Sequence, residues 1–426
     1  MTTPLRTLFI NHSVRDGGPG RSLFYILKYI EKAKITPFVL VPREDVFTEL
    51  VKKEGLGDRI IVEKRFPENI LRPRFNTSWY SQTTWLEGQA SSTKPNSTPR
   101  QVISIVVQII SISLNVFDIL LLILKSPFLL KKWNIDVIYC NGTLAKIVGA
   151  LIGSLNFRPV IWHVRNIQQT KALRFTMNIL SLLPAVKRII CVSNATTKQF
   201  RFKRNKILVV YNGVDVEEFN PEKVSGDLRL KYRIPEDVVI IGSTGRIVPR
   251  KGYKNLIEAA LTVCKELGEG EINKIRFVIV GDTPYFFQDN HLRNLKALIK
   301  EYKLEDIFIF TGYQRDVKPY LKGFDIFVIP SSYEDPFPRV VIEAMAFSLP
   351  VIGFMVGGVA EAVEQGVTGI LSESGNSHQM GESILKLILD KSLRHSMGVA
   401  GRERAKRLYS AKTRTNDIEN IIMELK

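Results

Sequence analysis

Short apolar runs, each closing on loop-forming residues, recur along the whole chain. In the first half RTLFINHS, TPFVLVP, DVIYCNG, PVIWHVRN and RIICVSNA read as strands, and in the second VVIIGSTG, RFVIVGD, IFIFTGY, DIFVIPSS and PVIGFMVGG do the same. Helical patterns separate them. Strands alternating with helices argue for βαβ units and a parallel sheet, so the fold class is α/β with two Rossmann-like halves. The segment ILVVYNGVDVEEFNP ends a strand in the turn Asn212-Gly213 and leads to Pro221, which places the domain boundary there: residues 1–212 and 213–426.

Two stretches break the alternation. Residues 76–100 are rich in Ser, Thr, Asn and Gln with no apolar period, and are expected to form an exposed insertion. From Gln101 to Leu124 the polar residues Gln101, Ser104, Gln108, Ser111, Asn115 and Asp118 recur at steps of three and four, with apolar residues at almost every other position. That is one narrow polar stripe on a helix. Its length and apolarity admit three placements: buried in the domain, lying in a membrane interface, or spanning a bilayer. The polar stripe and Asp118 speak against spanning.

Composition narrows the class. With 426 residues, 45% of them hydrophobic and 24% charged, the chain has ordinary globular usage and enough length for about two domains, which excludes global disorder and collagen. Its three cysteines are far apart and lack a CxxC, so neither a disulfide framework nor a zinc site is expected. A reducing, cytosolic compartment fits, and the apolar run Leu8 to Ile10 is too short for an export signal. The net charge of +18 is unevenly placed, since residues 1–212 carry +19 and residues 213–426 carry −1. Val137 to Val214 holds 12 Lys/Arg, including Arg201, Lys203, Arg204 and Lys206, and no acid. A charge run is commonly a solvated face, but this one suits an anionic partner: a nucleic acid, a phospholipid surface or a phosphorylated substrate.

The densest chemical signal is SSYEDPFPRVVIE, Ser331 to Glu343, entered from the strand FDIFVIP. Pro336 and Pro338 keep the residues after Asp335 out of a helix interior, so Asp335 belongs to a loop at the strand's carboxyl end and Glu343 to the second turn of the following helix. Ligands of open α/β sheets bind at this edge, where two carboxylates eight residues apart can grip hydroxyl groups from two directions. A second signal, Gly245 to Gly252 (GRIVPRKG), lies between a strand and a helical stretch. Its Arg246 and Lys251 suit a diphosphate. A third, Gly357-Gly358-Val359, precedes a helix and offers backbone N–H groups to a phosphate.

Taken in order, these motifs resemble the family-4 retaining glycosyltransferases of GT-B fold, the glycosyl transferases group 1. The resemblance covers most of the chain and is strongest from Tyr211 to Leu371, through YNGVD, GRIVPRKG, VIVGD, FTGY, VIPSSYEDPFPRVVIEAMAFSLPVI and GGVAEAVEQGVTGIL. In the first half it rests on DGGPGRS (Asp16 to Ser22) and IWHVRN. The family's Glu-x7-Glu falls here on Asp335 and Glu343, with Glu334 one residue out of register.

The resemblance implies two Rossmann-like domains facing each other across a cleft, the first on the acceptor side and the second, with terminal helices, holding a nucleotide-sugar donor. It implies that Glu343 holds the donor ribose and that Arg246 and Lys251 hold its diphosphate. The amides around Gly357, Gly358 and Val359 would meet phosphate or sugar hydroxyls, and Asp335 would sit beside the donor sugar. Gly17 and Gly18 would meet the donor phosphates from the opposite side, and His163 would contact the transferred sugar or the acceptor. A hexosyl or related transfer with retention of configuration is expected, without metal or other cofactor. The basic first half, with its apolar helix, suggests a lipid-linked saccharide as acceptor, as in bacterial surface-polysaccharide assembly. An anionic membrane surface would then be the partner, and the protein would be cytoplasmic and peripheral on the inner face of the membrane. Nucleic acid is not an expected partner. Three other readings stand beside this one. A non-catalytic sugar-nucleotide-binding relative would share the motifs, a basic nucleic-acid-binding protein would share the charge, and a sugar-nucleotide epimerase would share the two Rossmann halves.

Overall fold

The computed structural model describes residues 3–12, 17–70, 99–202, 204–268, 270–284 and 290–426, with the side chains of 99–105 left aside. The first sheet contains β1 Leu5–Asn11, β2 Ile35–Val41, β3 Ile60–Val62, β4 Val137–Asn141, β5 Val160–Val164, β6 Val186–Cys191 and β7 Ile207–Val209. All its pairs are parallel, in the order β3-β2-β1-β4-β5-β6-β7, so that Leu8 lies beside both Phe38 and Ile138. Helices cover both faces, which is why its strands are almost wholly apolar rather than alternating. On one face Phe9, Tyr139, Ile161 and Ile190 lie under α1 Gly18–Tyr29 and α2 Val46–Lys53. On the other, Leu8, Ile138, Cys140 and Trp162 lie under α3 Pro99–Lys132, α4 Thr143–Leu155 and α5 Lys171–Leu180. A single turn, α6 Asn194–Thr197, follows β6.

The second sheet holds β8 Val239–Thr244, β9 Ile275–Val280, β10 Phe308–Phe310, β11 Ile326–Ile329, β12 Val351–Phe354 and β13 Gly369–Ser372, again parallel, in the order β10-β9-β8-β11-β12-β13. The helices of this half of the chain are α7 Leu228–Tyr232, α8 Tyr253–Leu267, α9 His291–Glu301, α10 Lys318–Gly323, α11 Arg339–Ala346, α12 Val359–Ala362, α13 Ser377–Leu389, α14 Lys391–Tyr409 and α15 Ala411–Met423. One face packs Ile241, Phe277, Ile279 and Val328 against α8, α9 and α13. The other packs Ile240, Val278, Phe327 and Val351 against α7, α10, α11 and α14.

The chain passes between the sheets twice, side by side. Val214 N donates to Tyr409 O at 2.8 Å and Ala411 N to Val214 O at 2.8 Å. The strands touch so closely that a Cβ on Gly213 would lie 2.5 Å from the Ala411 Cα. After this second crossing α15 leaves the second sheet and joins the first, where Ile418, Ile421 and Ile422 complete the apolar layer over α1. The terminal helices expected with the second half are therefore shared, because α15 carries an apolar stripe that only the first sheet buries.

Two features differ from the sequence reading. The apolar helix is longer than Gln101 to Leu124, continuing through Pro127 to Lys132, and its polar stripe faces inward: Ser111 and Asn115 are buried, and Asn115 Nδ2 donates to Ile70 O at 2.8 Å. Of the exposed insertion expected at 76–100, residues 76–98 lie outside the described residues. The basic cluster is also less available than its charge suggests. Lys206 Nζ donates to Ser181 O (3.0 Å) and Leu183 O (3.2 Å), where it closes the carboxyl end of α5. Arg201 and Arg204 are exposed, and Lys203 lies outside the described residues.

Candidate active site

In each sheet the connections reverse direction once, between β1 and β4 in the first and between β8 and β11 in the second. Such switch points open a crevice at the carboxyl ends of the strands, where ligands bind. Two of the three sequence motifs of the second half sit at its switch point. The loop after β8 runs Gly245 to Gly252, and the loop after β11 runs from Pro330 to Pro338. They are tied together, since Ser331 Oγ donates to Arg250 O at 2.8 Å and Asn255 Nδ2 to Pro330 O at 2.9 Å. Across this tie Lys251 Nζ meets Asp335 Oδ2 at 3.1 Å, with both side chains about one-fifth exposed. Arg246 is exposed in the same loop.

Glu343 lies on α11, buried, and its Oε1 accepts from Arg339 Nη2 at 2.8 Å and Nε at 3.2 Å. The pair is one helical turn apart, so helix geometry alone brings it together. The Arg339 guanidinium also stacks 5.0 Å from the ring centre of Tyr25 on α1, so it joins the donor-side helix to the first sheet. Sequence reasoning passed over Arg339, although Arg-x3-Glu in PRVVIE carried the signal.

Gly357 and Gly358 pack directly on the Asp335 loop. Gly357 has φ +49°, and a Cβ there would lie 2.5 Å from the Asp335 carbonyl oxygen. This contact changes the expected role of the amides. Gly358 N donates to Asp335 O at 2.8 Å and so fixes the shape of the Asp335 loop, while Val359 N closes a local turn on Val356 O at 3.1 Å.

In the first half Gly17 is the N-cap of α1, with no side chain to cap it. Gly18 is exposed, with open space around the position a Cβ would take. Both face the switch point between β1 and β4. His163, expected at the transferred sugar or the acceptor, is enclosed. It is 2% exposed, and strand alternation sets it on the Ile161 face beneath α1 and α15, with Tyr139 Oη bonded to its Nδ1 and Arg165 Nη2 3.2 Å away. Burial first, then the charges of Arg165 and Lys146, hold it neutral, well below its ordinary pKa of 6.5. The residue at the edge is Arg165, which sequence reasoning did not single out. Its Nε donates to Asn141 Oδ1 at 2.7 Å, and its Nη1 donates to Asn212 Oδ1. Asn141 Nδ2 reaches Asn11 Oδ1 at 3.0 Å, and Asn212 Nδ2 reaches Phe337 O at 3.0 Å. A continuous polar chain thus runs from the ends of β1, β4 and β5 to the Asp335 loop. Gln169 Nε2 adds a second link to Tyr333 Oη at 2.9 Å, and Glu361 a third, accepting from the Asn194 and Ala195 amides at 2.8 Å. The carboxyl edges of the two sheets therefore face each other.

Two doubly wound parallel sheets, edge to edge, with the donor-side motifs at the second sheet's switch point, define the GT-B class. Residues 225–404 match the family described as glycosyl transferases group 1, and residues 87–218 match glycosyltransferase family 4. The chain is 26% identical over 314 residues to the capsular polysaccharide biosynthesis glycosyltransferase CapM of Staphylococcus aureus, covering 70% of this chain and 79% of that one. It is 26% identical over 278 residues to the UDP-Gal:alpha-D-GlcNAc-diphosphoundecaprenol alpha-1,3-galactosyltransferase of Escherichia coli, covering 62% and 69%. In fold it is similar to Anabaena Alr3699/HepE, solved in complex with UDP and glucose, with a TM-score of 0.73 at 20% identity over 98% of this chain and 99% of that one. The chain belongs to the family-4, group 1 glycosyltransferases of GT-B fold.

Proposed function

We propose that this glycosyltransferase moves a hexosyl or related sugar from a nucleotide-diphosphate-sugar to a lipid-linked saccharide, with retention of configuration, in the assembly of a cell-surface polysaccharide or glycolipid. The observation that carries the reading is the meeting of Lys251 and Asp335 across the two switch-point loops, with Arg246 on the first and Glu343 on the helix after the second. In the reaction the bond between the anomeric carbon and the diphosphate oxygen breaks, its electron pair leaves with the diphosphate, and an acceptor hydroxyl bonds to the anomeric carbon. The hydroxyl proton passes to the departing phosphate on the same face of the sugar, which gives retention. Lys251 and Arg246 are preorganised cations where that negative charge grows, the arrangement that lowers such a barrier most. Asp335 orients sugar hydroxyls and Glu343 the ribose.

A uridine nucleotide is favoured as the donor's base by the UDP in the complex of the similar fold and by the UDP-Gal in the name of the E. coli relative. A diphosphate-linked lipid acceptor is favoured by the same relative's name and by the +19 charge of residues 1–212. That charge also supports peripheral attachment to the inner face of an anionic membrane. The test is incubation of the purified protein with a panel of UDP- and GDP-sugars and a short-chain polyprenyl-diphosphate saccharide. A lengthened saccharide whose new linkage keeps the donor's anomeric configuration by NMR supports the reading. Failure to lengthen the acceptor with any donor counts against it, and an inverted linkage removes the retaining mechanism.

A further inference from the structure

The helix α3 is turned the opposite way from a surface helix of a soluble domain. The most apolar 18-residue stretch within Val106–Lys132 has a mean hydropathy of 2.3, yet only 22% of it is buried. The residues that face the protein include Ser111, Asn115 and Ser126, all at most 3% exposed, while Ile119, Leu122 and Leu130 join the core beneath. The opposite face is open and, apart from Ser113, apolar: Val106 is 47% exposed, Ile109 58%, Phe117 57%, Leu120 52%, Leu124 67% and Phe128 80%. At about 100° per residue these six fall on one side of the helix, along a stripe of about 33 Å. A contiguous apolar patch of this length marks an interaction surface.

The flanking charge identifies the occupant. Lys125, Lys131 and Lys132 are exposed at the carboxyl end of the stripe, and the hollow beside Asn115 and Asp118 adds Lys64 and Arg65, next to an Arg43–Glu68 pair at 2.8 Å. Within residues 99–132 Asp118 is the only acid. An apolar stripe bordered by lysines fits the boundary between anionic headgroups and acyl chains, where the stems of the lysines lie along the apolar layer and their charges meet phosphate. A second copy of this chain would set those same lysines against one another. Packing speaks against spanning, because Ser111, Asn115, Ile119, Leu122, Ser126 and Leu130 are buried against the first domain along one side of α3.

We propose that the outward face of α3 inserts into the headgroup region of an anionic bilayer and docks the first domain on it. The proposal rests on the reading above in that the acceptor is drawn from that bilayer. It also moves the contact away from the cluster at Arg201 to Lys206, part of which is committed to α5.

The test is co-sedimentation of the full chain, without sugar donor, with phosphatidylcholine vesicles and with vesicles containing phosphatidylglycerol, for the wild type and for a variant carrying Phe117→Ser, Leu124→Ser and Phe128→Ser. These side chains point outward, so the fold is kept. The wild type is expected to bind the anionic vesicles and the triple variant to bind at least tenfold more weakly, while transfer to a short-chain, water-soluble acceptor is unchanged. Equal binding by both proteins overturns the proposal. So does a wild type that ignores vesicles and sediments as a dimer which the variant abolishes. Vesicle binding without transfer from any donor leaves the docking face standing and defeats the enzymatic reading. Transfer to the soluble acceptor without vesicle binding does the reverse.

Discussion

Lys251 Nζ stands 3.1 Å from Asp335 Oδ2, so the cation proposed to hold the diphosphate and the acid proposed to orient the sugar hold each other in position. Removing the cation should therefore act on chemistry more than on folding. Lys251→Ala is expected to lower kcat by roughly 10² or more with saturating donor, and to shift the thermal midpoint little, since a partly exposed pair contributes at most about 1 kcal/mol. Arg246→Ala should behave alike. Asp335→Glu, which keeps the charge and lengthens the reach, should keep activity, whereas Asp335→Ala should not. Steady-state kinetics on the four variants decide this, and near wild-type turnover in Lys251→Ala would remove its role.

Glu343 is expected to matter twice. Glu343→Gln weakens nucleotide binding by loss of the ribose contact, and it leaves the buried Arg339 without its counter-charge. A stability loss of about 2 kcal/mol follows from that unpaired charge. Arg339→Met combined with Glu343→Gln should recover much of the thermal midpoint while nucleotide binding stays weak. Recovery of both together would make Glu343 a structural residue only.

How far the sequence revealed these features depends on whether they are local. The long strands were legible because burial on both faces leaves runs such as LFI and FVIV with no polar interruption. β3 and β13, three and four residues long at sheet edges, carry too little pattern to see. Asp335, Glu343 and Lys251 were legible because each follows a strand at a fixed distance. Arg165 was not, because its partners Asn141 and Asn212 become neighbours only once the strand order is known. His163, which the resemblance set beside the transferred sugar or the acceptor, lies buried, because the parity of β5 turns it under α1 onto Tyr139. The polar stripe of α3 was visible, but which way it faces depends on acceptors elsewhere, such as the Ile70 carbonyl.

The two crossings between the sheets set a packing limit that can be measured. Gly213→Ala would force a methyl group within 2.5 Å of the Ala411 Cα and should cost about 1–3 kcal/mol. Gly18→Ala, in open space, should leave the thermal midpoint unchanged. Any loss of activity in Gly18→Ala is then expected as a raised KM for donor, because the N-terminal turn of α1 would hold the phosphates at a greater distance.

Stability should fall on mild acidification. Burial, with Lys146 adding to it, lowers His12 to about 4, and burial with Arg165 and Lys146 holds His163 well below 6.5. Between those values and 6.5 the unfolded chain binds protons that the folded chain does not, so stability is complete above about pH 6.5 and is lost as the pH drops below it. Down to pH 5 the loss is about 2 kcal/mol for His12, and His163 adds to it in the same direction. Thermal midpoints from pH 7.5 to 5 should show it, with a shallower slope in His163→Gln. An unchanged slope would assign the effect to carboxylates instead.

A nucleoside diphosphate is expected to bind between the β8 and β11 loops. Isothermal titration of UDP and GDP into the wild type, Lys251→Ala and Arg201→Ser tests it directly. One nucleotide per chain is expected, bound at least tenfold more weakly by Lys251→Ala and equally well by Arg201→Ser. Binding that Lys251→Ala leaves intact, or no binding of either nucleotide, would contradict the account.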